Sequence, residues 1–578
     1  MNTVFGSIWH RFDLSNKTHL IWCGAMLVVM TALAILHRRC RDDKQKLRQW
    51  RTLCLVPLLM ACVHAVIYLF GFPLFIIGFF PLYLIALAAL LPVPFAKRKI
   101  GYRVAAVITG IISFICAFYL VGMSPDYYNH TRESYSESFH SMVQDMDRNY
   151  VLKDWKEADL SALEQKYMPM VKEAEQAQDP AKFYDAVTLF CRELHDGHVS
   201  VQANYDKDKY ASALEPREYG LAMVQLDDGT VIAVCTTEDV NKLGIGDGTV
   251  ITKWNGKPVA QAVSEDVPDT GFSVKANEDR VAAIFLSGIG GDTIEVSFLD
   301  ESGAEQNAIL SDLGEPHTQT EAFRLFCNFP KLGEEDEFEA LSAENFNTKM
   351  LDDKCGYLRL TVEATENGLY DIFVGYTTGN HKQAREMFRG KLRDLKAQGM
   401  EYLVIDLRNN DGGYDEIGAA LTDLFTDEEY YAQGLGIRAD GKYTCVSDHP
   451  VRGDGEFSGL KVVALTNFGC LSAGDGTSLY LSRLPNVTLA GITDPYGCNQ
   501  ETGGICALSD GIVYVAYPVG LILDETGVPN IDTRADRISR DPVEERIPFD
   551  YDAAMKMFRD KQDYELEWAV DYLEANAE

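Results

Sequence analysis

The chain has 578 residues, which is too long for a single hydrophobic core, so several domains are expected. Its formal net charge is −33 at pH 7, from 86 acidic and 53 basic side chains. Because nucleic acid repels so acidic a surface, the composition argues against a nucleic-acid-binding protein and favours solubility instead.

Four segments near the N-terminus are apolar and carry no acidic or basic side chain: 20–36, 52–72, 73–95 and 104–123. Each is close to the roughly 20 residues that a helix needs to cross a bilayer. We therefore predict four transmembrane helices, and with them a membrane domain over residues 1–123 that contacts lipid. A removed signal peptide fits less well, since three more apolar segments follow the first one.

Basic side chains set the predicted orientation. Residues 1–123 hold 13 basic and 3 acidic side chains, which leaves 40 basic and 83 acidic ones downstream. Seven of the basic residues lie in 37–51 and four in 97–103, and such loops stay on the cytoplasmic side. The prediction is a multi-pass protein of the cell membrane whose larger part, after Met123, is extracytoplasmic.

Apolar residues recur at three- and four-residue steps from 134 to 191, as in amphipathic helices. This pattern predicts a helical bundle over 124–200, ending in the motif Asp-Gly-His-Val at 196–199. An alternating run follows Gly197, so His198 is expected at a junction between helix and strand. His195 and His198 are spaced like metal ligands, but no third ligand follows at a recognisable spacing, and no metal site is predicted.

Short strands and Gly-Asp turns dominate the next region. In residues 240–259 a short helix and a Gly-Asp turn lead into strands joined at Asn255-Gly256, which resembles a PDZ module. We place this PDZ-like β-domain at 215–305. The resemblance implies that an extended peptide adds as a strand to an exposed edge, often with its C-terminal carboxylate captured. The alternative is a small β-domain that only spaces its neighbours.

Beyond Asp353, apolar β-branched runs alternate with helical stretches. Strands are predicted at 356–362, 402–407, 461–466 and 487–490, and helices at 381–398 and 474–483. This alternation predicts an α/β core with a largely parallel sheet over 320–555, followed by a C-terminal helix at 556–578.

Two of these strands end abruptly in Asn, Asp and Gly, at IDLRNNDGG (405–413) and TNFGCLSAGD (466–475). Ser472 is thereby placed at the start of a helix beside glycine amides that could receive an oxyanion. The chemistry indicated is acyl transfer by a serine. Ser472 could also serve as a helix N-cap, and Cys470 is interpreted as a buried packing residue rather than a nucleophile.

Together, the Asp-Gly-His-Val motif, the PDZ-like segment and the two strand-end motifs resemble the C-terminal-processing serine proteases, and more closely their tricorn-core branch. The resemblance spans about residues 135–550 in consistent order. It implies a crotonase-like α/β core with an inserted PDZ-like domain and a helical bundle. It also implies endoproteolysis of extended or poorly folded polypeptides, with no cofactor.

Carried over residue by residue, the resemblance makes Ser472 the nucleophile and His198 the general base. The lysine of the family's other branch is absent, because no lysine lies between Lys461 and Lys556. The resemblance further implies an oxyanion hole and a loop that shapes it. The hole would be formed by the N–H of Ala473 with that of Gly412 or Gly413, and the loop-shaping residues are Arg408 and Asn410.

The resemblance also implies an acid that orients the histidine. Asp524 and Glu525 precede Gly527, and the spacing does not choose between them. One departure is that Gly197 stands where the tricorn core has a serine before its histidine. This departure supports an alternative function, a catalytically inactive peptide- or lipophile-binding protein on the same fold.

Overall fold

The computed structural model describes residues 126–207, 209–268, 280–314, 317–328, 346–364, 382–439, 442–534 and 542–576, with scattered residues between 28 and 59. The four predicted membrane spans and their loops lie largely outside these residues. Within the described part of the chain, no helix is both long and apolar enough to cross a bilayer. The spans, their orientation and the lipid contact stay predictions.

The chain divides into two compact units. One contains residues 2–128 with 503–505, and the other contains 129–502 with 506–578. Two elements of the N-terminal segment are described, helix α1 (Lys44–Leu53) and strand β1 (Asp126–Asn129). All of the candidate site residues belong to the larger unit.

Three helices follow β1, as the periodicity predicted: α2 (Tyr135–Asn149), α3 (Leu160–Ala177) and α4 (Pro180–Arg192). Each begins at a side chain that accepts a backbone N–H, namely Ser134, Asp159 and Asp179. Their apolar faces bury residues such as Phe139 and Phe190, whose rings meet edge to face at 5.3 Å. These contacts hold the three helices together as a bundle.

Short antiparallel elements make up the next region. They are β2 (Ser200–Ala203), β3 (Ala222–Gln225), β4 (Val231–Val234), α5 (Glu238–Asn241), β5 (Ile251–Trp254), β6 (Lys257–Pro258), α6 (Val259–Glu265), α7 (Ala282–Leu286), β7 (Thr293–Leu299) and β8 (Glu305–Ser311). Strands β3 and β4 pair with each other, and a second sheet has the order β6-β5-β7-β8. Asn255 and Gly256 join β5 to β6 with φ of 50° and 76°, so the predicted local order is present. The PDZ-like character of this domain stays a prediction.

The remaining elements form the α/β part. They are α8 (Thr318–Phe326), β9 (Phe346–Met350), β10 (Cys355–Leu360), α9 (Lys382–Ala397), β11 (Tyr402–Asp406), α10 (Asp415–Thr422), β12 (Tyr430–Ala439), β13 (Lys442–Val451), β14 (Lys461–Leu465), α11 (Ala473–Ser482), β15 (Val487–Gly491), β16 (Gln500–Ala507), β17 (Val513–Leu523), β18 (Glu545–Arg546), α12 (Tyr551–Ala554) and α13 (Tyr564–Ala575).

A central sheet has the strand order β18-β15-β14-β11-β10-β9. Its strands are parallel except for β9, and β11 is buried along its whole length. A second sheet contains β16-β17-β12-β13, with β2 also paired to β17. The prediction of an α/β core with a largely parallel sheet is confirmed; its crotonase-like character stays a prediction.

The parallel register determines where the site lies. Asp406, the last residue of β11, pairs with Leu465, the last residue of β14. The loops that follow both strands therefore leave the same edge of the sheet, which is where open α/β sheets place their functional groups.

Candidate active site

Ser472 occupies a strained position at the N-terminus of α11. Its φ and ψ are 59° and −128°, and its side chain makes no capping hydrogen bond. A non-glycine residue in so sparsely populated a region costs on the order of 1–3 kcal/mol. Capping therefore does not explain the residue, and the hydroxyl is available for chemistry at a partly exposed position.

The loop that follows β11 and contains Gly412 and Gly413, which we call the glycine loop, packs directly against this serine. A Cβ on Gly412 would lie 2.6 Å from Ser472 Cβ and 2.7 Å from Ala473 N, and the φ of Gly412 is 82°. The N–H of Gly412 donates to Asn410 Oδ1 at 2.8 Å. Because that amide is engaged inside the loop, the N–H groups of Gly413 and Ala473 are the better candidates for an oxyanion hole.

Sequence analysis missed Glu363, which supports the same loop from the end of β10. Its backbone O accepts from Tyr414 N at 2.9 Å, and its backbone N donates to Gly412 O at 2.8 Å. Its carboxyl group accepts hydrogen bonds from the side chains of Thr477 and Asn410. Burial raises the pKa of Glu363 well above its usual value, so the group is held protonated.

Arg408 is fully buried below the loop. Its guanidinium donates to Asp406 at 2.8 and 2.9 Å and to Asp563 at 2.7 and 2.9 Å. It also contacts Glu565 at 3.1 Å. The residue thus ties the end of β11 to the start of α13, consistent with a loop-shaping role.

His198 lies in the turn between α4 and β2, as predicted. Its backbone N donates to Asp196 Oδ1 at 2.8 Å, and Tyr150 Oη donates to Asp196 Oδ2 at 2.8 Å. Burial lowers the pKa of His198, partly offset by the charge of Asp196 and a hydrogen bond with the Gln500 side chain. The imidazole is therefore neutral at pH 7, as a general base must be.

Residues 496–500, which we call the connecting segment, contact both halves of the site. Cys498 O accepts from Ser472 N at 2.8 Å, and Tyr496 N donates to Cys470 O at 2.9 Å. On the other side, the Gln500 side chain reaches the ring of His198. The connecting segment thus lies next to both Ser472 and His198, although these two residues are far apart in sequence.

Asp475 fixes the connecting segment onto α11, and sequence analysis missed it too. Its buried carboxylate accepts from Gly497 N at 3.1 Å and from Cys498 N at 3.0 Å. It lies in the first turn of the helix, where a negative charge is favoured. An acid three residues after the proposed nucleophile was the only signal in the sequence.

The connecting segment also gives a physical reason for Gly197. A Cβ there would lie 2.3 Å from Tyr496 Cε1 and 2.7 Å from Cys498 Sγ. The space that a serine would need at this position is occupied. This chain therefore orients its histidine by means other than a neighbouring serine.

The two acids suggested by the resemblance lie in the turn after β17. Asp524 Oδ1 accepts from Thr526 N at 2.8 Å and from Val528 N at 3.0 Å, and so closes that turn. Glu525 is exposed. Both stay candidates for the acid, but the carboxylate charge that acts on His198 comes from Asp196.

The two cysteines nearest the serine, Cys470 and Cys498, do not compete with it as nucleophiles. Burial raises the pKa of the Cys470 and Cys498 thiols, which leaves them protonated and unreactive at neutral pH. All eight cysteines after residue 123 lie in the described part of the chain, and none of them is joined in a disulfide there.

One group of potential metal ligands lies away from the site, at His130, Asp145 and Cys506. His130 Nε2 is hydrogen-bonded to Asp145 Oδ2 at 2.8 Å, and its Nδ1 to Glu133 Oε1 at 3.2 Å. Both ring nitrogens thus have protein partners, and hydrogen bonding accounts for the arrangement without a metal ion.

Comparisons with solved structures find the fold of this chain in other proteins. Two structures of mature CPAF, one described as complexed with lactacystin, superimpose with TM-scores of 0.50 at 13% and 14% identity. The matches cover 77% and 74% of this chain and 99% and 95% of the other, and they show a shared fold. A comparison with curated proteins finds no match.

Residues 354–529 match the model of peptidase family S41, a span that contains the glycine loop, the serine and the connecting segment. A match to this family indicates a serine peptidase. The resemblance to C-terminal-processing serine proteases is thus confirmed over residues 354–529, the part of the chain that matches the family model.

Proposed function

We propose that this chain is a membrane-anchored serine endopeptidase that cleaves extended or poorly folded polypeptides through an acyl-enzyme on Ser472. The observation that carries the proposal is the strained serine at the start of α11, with the glycine loop against it and the connecting segment linking it to His198. Backbone strain of this kind lowers stability and is concentrated at functional sites, so it supports a functional role for the hydroxyl.

In the proposed reaction, the Ser472 hydroxyl attacks the peptide carbonyl while His198 accepts its proton. The oxygen that becomes negative is received by the N–H groups of Ala473 and Gly413, and losing one such donor typically costs about 3 kcal/mol of transition-state stabilisation. His198 then gives its proton to the leaving amine. Water, deprotonated by the same imidazole, hydrolyses the ester and releases Ser472.

The substrate would bind in an extended conformation. We infer that its C-terminus docks on the PDZ-like domain at 215–305, where strand addition to a sheet edge suits an unfolded segment. The apolar segments before residue 123 would anchor the enzyme in the cell membrane, with the catalytic part on the extracytoplasmic side and in reach of membrane-proximal proteins.

A fluorophosphonate probe tests this proposal on the full-length chain without knowledge of the substrate. The wild type should be labelled at Ser472, and labelling should disappear in Ser472→Ala. Ser482→Ala, at the other end of α11, is the matched control and should be labelled like the wild type. Absence of labelling in the wild type would favour the alternative, an inactive peptide- or lipophile-binding protein on this fold.

A further inference from the structure

The side chain of Gln500 lies beside His198, the proposed general base. Nδ1 of His198 and Oε1 of Gln500 are both buried, and neither has a hydrogen-bond partner among the described residues. The Gln500 side chain lies close enough to the His198 ring to raise its pKa. A buried polar atom without a partner costs free energy, so a hydrogen bond between these two atoms would satisfy both.

The rest of the Gln500 amide fixes which of its atoms meets the histidine. Its Nε2 donates to Asp532 Oδ2 at 2.7 Å and to Ile531 O at 3.2 Å. An amide nitrogen has two hydrogens, and both are used in these contacts. Oε1 therefore points the other way, and a carbonyl oxygen can only accept a hydrogen bond.

Asp532 is itself held in place from behind. Its Oδ1 forms a buried ion pair with Lys156 Nζ, which also donates to His195 O and to Thr533 O, both at 2.6 Å. The ammonium group has three hydrogens and three acceptors, so its position is fully specified. The chain of contacts runs from Lys156 through Asp532 to Gln500.

We propose that Gln500 positions the general base by accepting the Nδ1–H of His198, which leaves Nε2 unprotonated and ready to take the Ser472 proton. This inference rests on the proposed function and deepens it. A neutral amide thus fills the place that a directly contacting carboxylate has in a Ser-His-Asp triad. It fixes the tautomer and ring orientation, while the carboxylate charge that acts on His198 comes from Asp196.

Several titratable groups face this site and determine how His198 responds to pH. The hydroxyl of Tyr150 and the carboxylate of Asp196 lie on one side, and the amide of Gln500 lies between His198 and the Asp532 pair. Among the described residues, the segments packed here also carry the titratable groups Lys156, Asp475, Cys498 and Asp532. Gln500 raises the pKa of His198 and opposes the effect of burial, so removing it should lower that pKa.

The second-order rate constant for fluorophosphonate labelling, measured against pH on the full-length chain, tests this inference. In Gln500→Ala we expect labelling about 10- to 100-fold slower, as for the loss of a hydrogen bond to a charged group, with the acid midpoint moved to lower pH. Gln500→Glu keeps the side-chain length and adds a negative charge, so its midpoint should move to higher pH. Opposite shifts are not expected from a residue that only supports the fold.

Gln433→Ala is the matched control, because Gln433 is also a buried amide that donates to a carboxylate, Asp415, at 2.7 Å. It should leave the acid midpoint where the wild type has it. Unchanged midpoints in both Gln500 variants would overturn the inference while the proposed function stands. If Gln500→Ala does not fold, the direction of the shift in Gln500→Glu decides alone. Absence of Ser472-dependent labelling in the wild type would instead count against the proposed function.

Discussion

The two halves of the candidate site are built in different ways. The serine half consists of two loops that leave neighbouring parallel strands, β11 and β14, at one sheet edge. Each loop is a single stretch of sequence. The histidine half is assembled from buried polar contacts between distant segments, including Tyr150, Lys156, Asp196, Gln500 and Asp532. The serine half is therefore specified locally, whereas the histidine half depends on the whole larger unit being folded.

Among the variants considered, removal of the His198 imidazole should lower activity the most. In His198→Ala we expect turnover and labelling to fall by about 10³- to 10⁴-fold, since the general base is lost while the oxyanion donors remain. Binding of peptide should be largely intact. The control is His140→Ala, an exposed histidine of α2. Equal rates in His198→Ala and wild type would show that the histidine half is not part of the site.

Asp475→Ala should uncouple the two halves, because it removes the acceptor that holds the connecting segment on α11. Two buried N–H groups would lose their partner, which costs about 1–3 kcal/mol each in the free energy of unfolding. We expect labelling of Ser472 to fall about 10- to 100-fold in protein that is still folded. Thermal unfolding and labelling rates, compared with Asp571→Ala on the exposed side of α13, check this. A loss of stability without any loss of labelling would mean that the connecting segment does not couple the serine half to the histidine half.

The pH profile reports the state of the histidine half directly. Burial lowers the pKa of His198, and the base acts only when it is neutral. Activity should therefore be present above the folded-state pKa and be lost as the pH falls through it, with a midpoint below the usual value of about 6.5. The profile of kcat/KM against pH measures this. A midpoint above 6.5 would contradict the buried, neutral imidazole.

Thiol alkylation should have the smallest effect. Cys470 and Cys498 lie next to the serine half, but both are buried and hold their protons because burial raises their pKa values. Iodoacetamide should react with the exposed Cys445 and change turnover by less than about twofold. Inactivation that tracks modification of Cys470 would identify a thiol, not a hydroxyl, as the nucleophile.

The contrast between the serine half and the histidine half also explains how much of the site could be predicted from the sequence. Strand β11 was predicted at 402–407 and is Tyr402–Asp406, because a buried parallel strand is a continuous apolar run. Helix α11 likewise agrees to within a residue. The motifs therefore sufficed to bring Ser472, Gly412 and Gly413 to one edge of the sheet.

The surroundings of His198 could not be predicted in this way. Gln500 and Asp532 lie in no recognisable sequence motif. Their role depends on the pairing of Cys498 with Asp532 in the folded chain. The sequence spacing instead drew attention to Asp524 and Glu525, where Asp524 closes a turn. Glu363 was missed for the same reason, since only its contacts across the sheet edge distinguish it from other acids.

Chemical rescue tests most directly whether the imidazole at 198 activates the hydroxyl at 472. Labelling of Ser472 would be measured in His198→Ala with increasing free imidazole, with Ser472→Ala/His198→Ala as the blank. The account predicts slow labelling without imidazole and a concentration-dependent recovery, because the cavity left by the side chain admits a replacement base. Labelling of His198→Ala at the wild-type rate, with no response to imidazole, would contradict it.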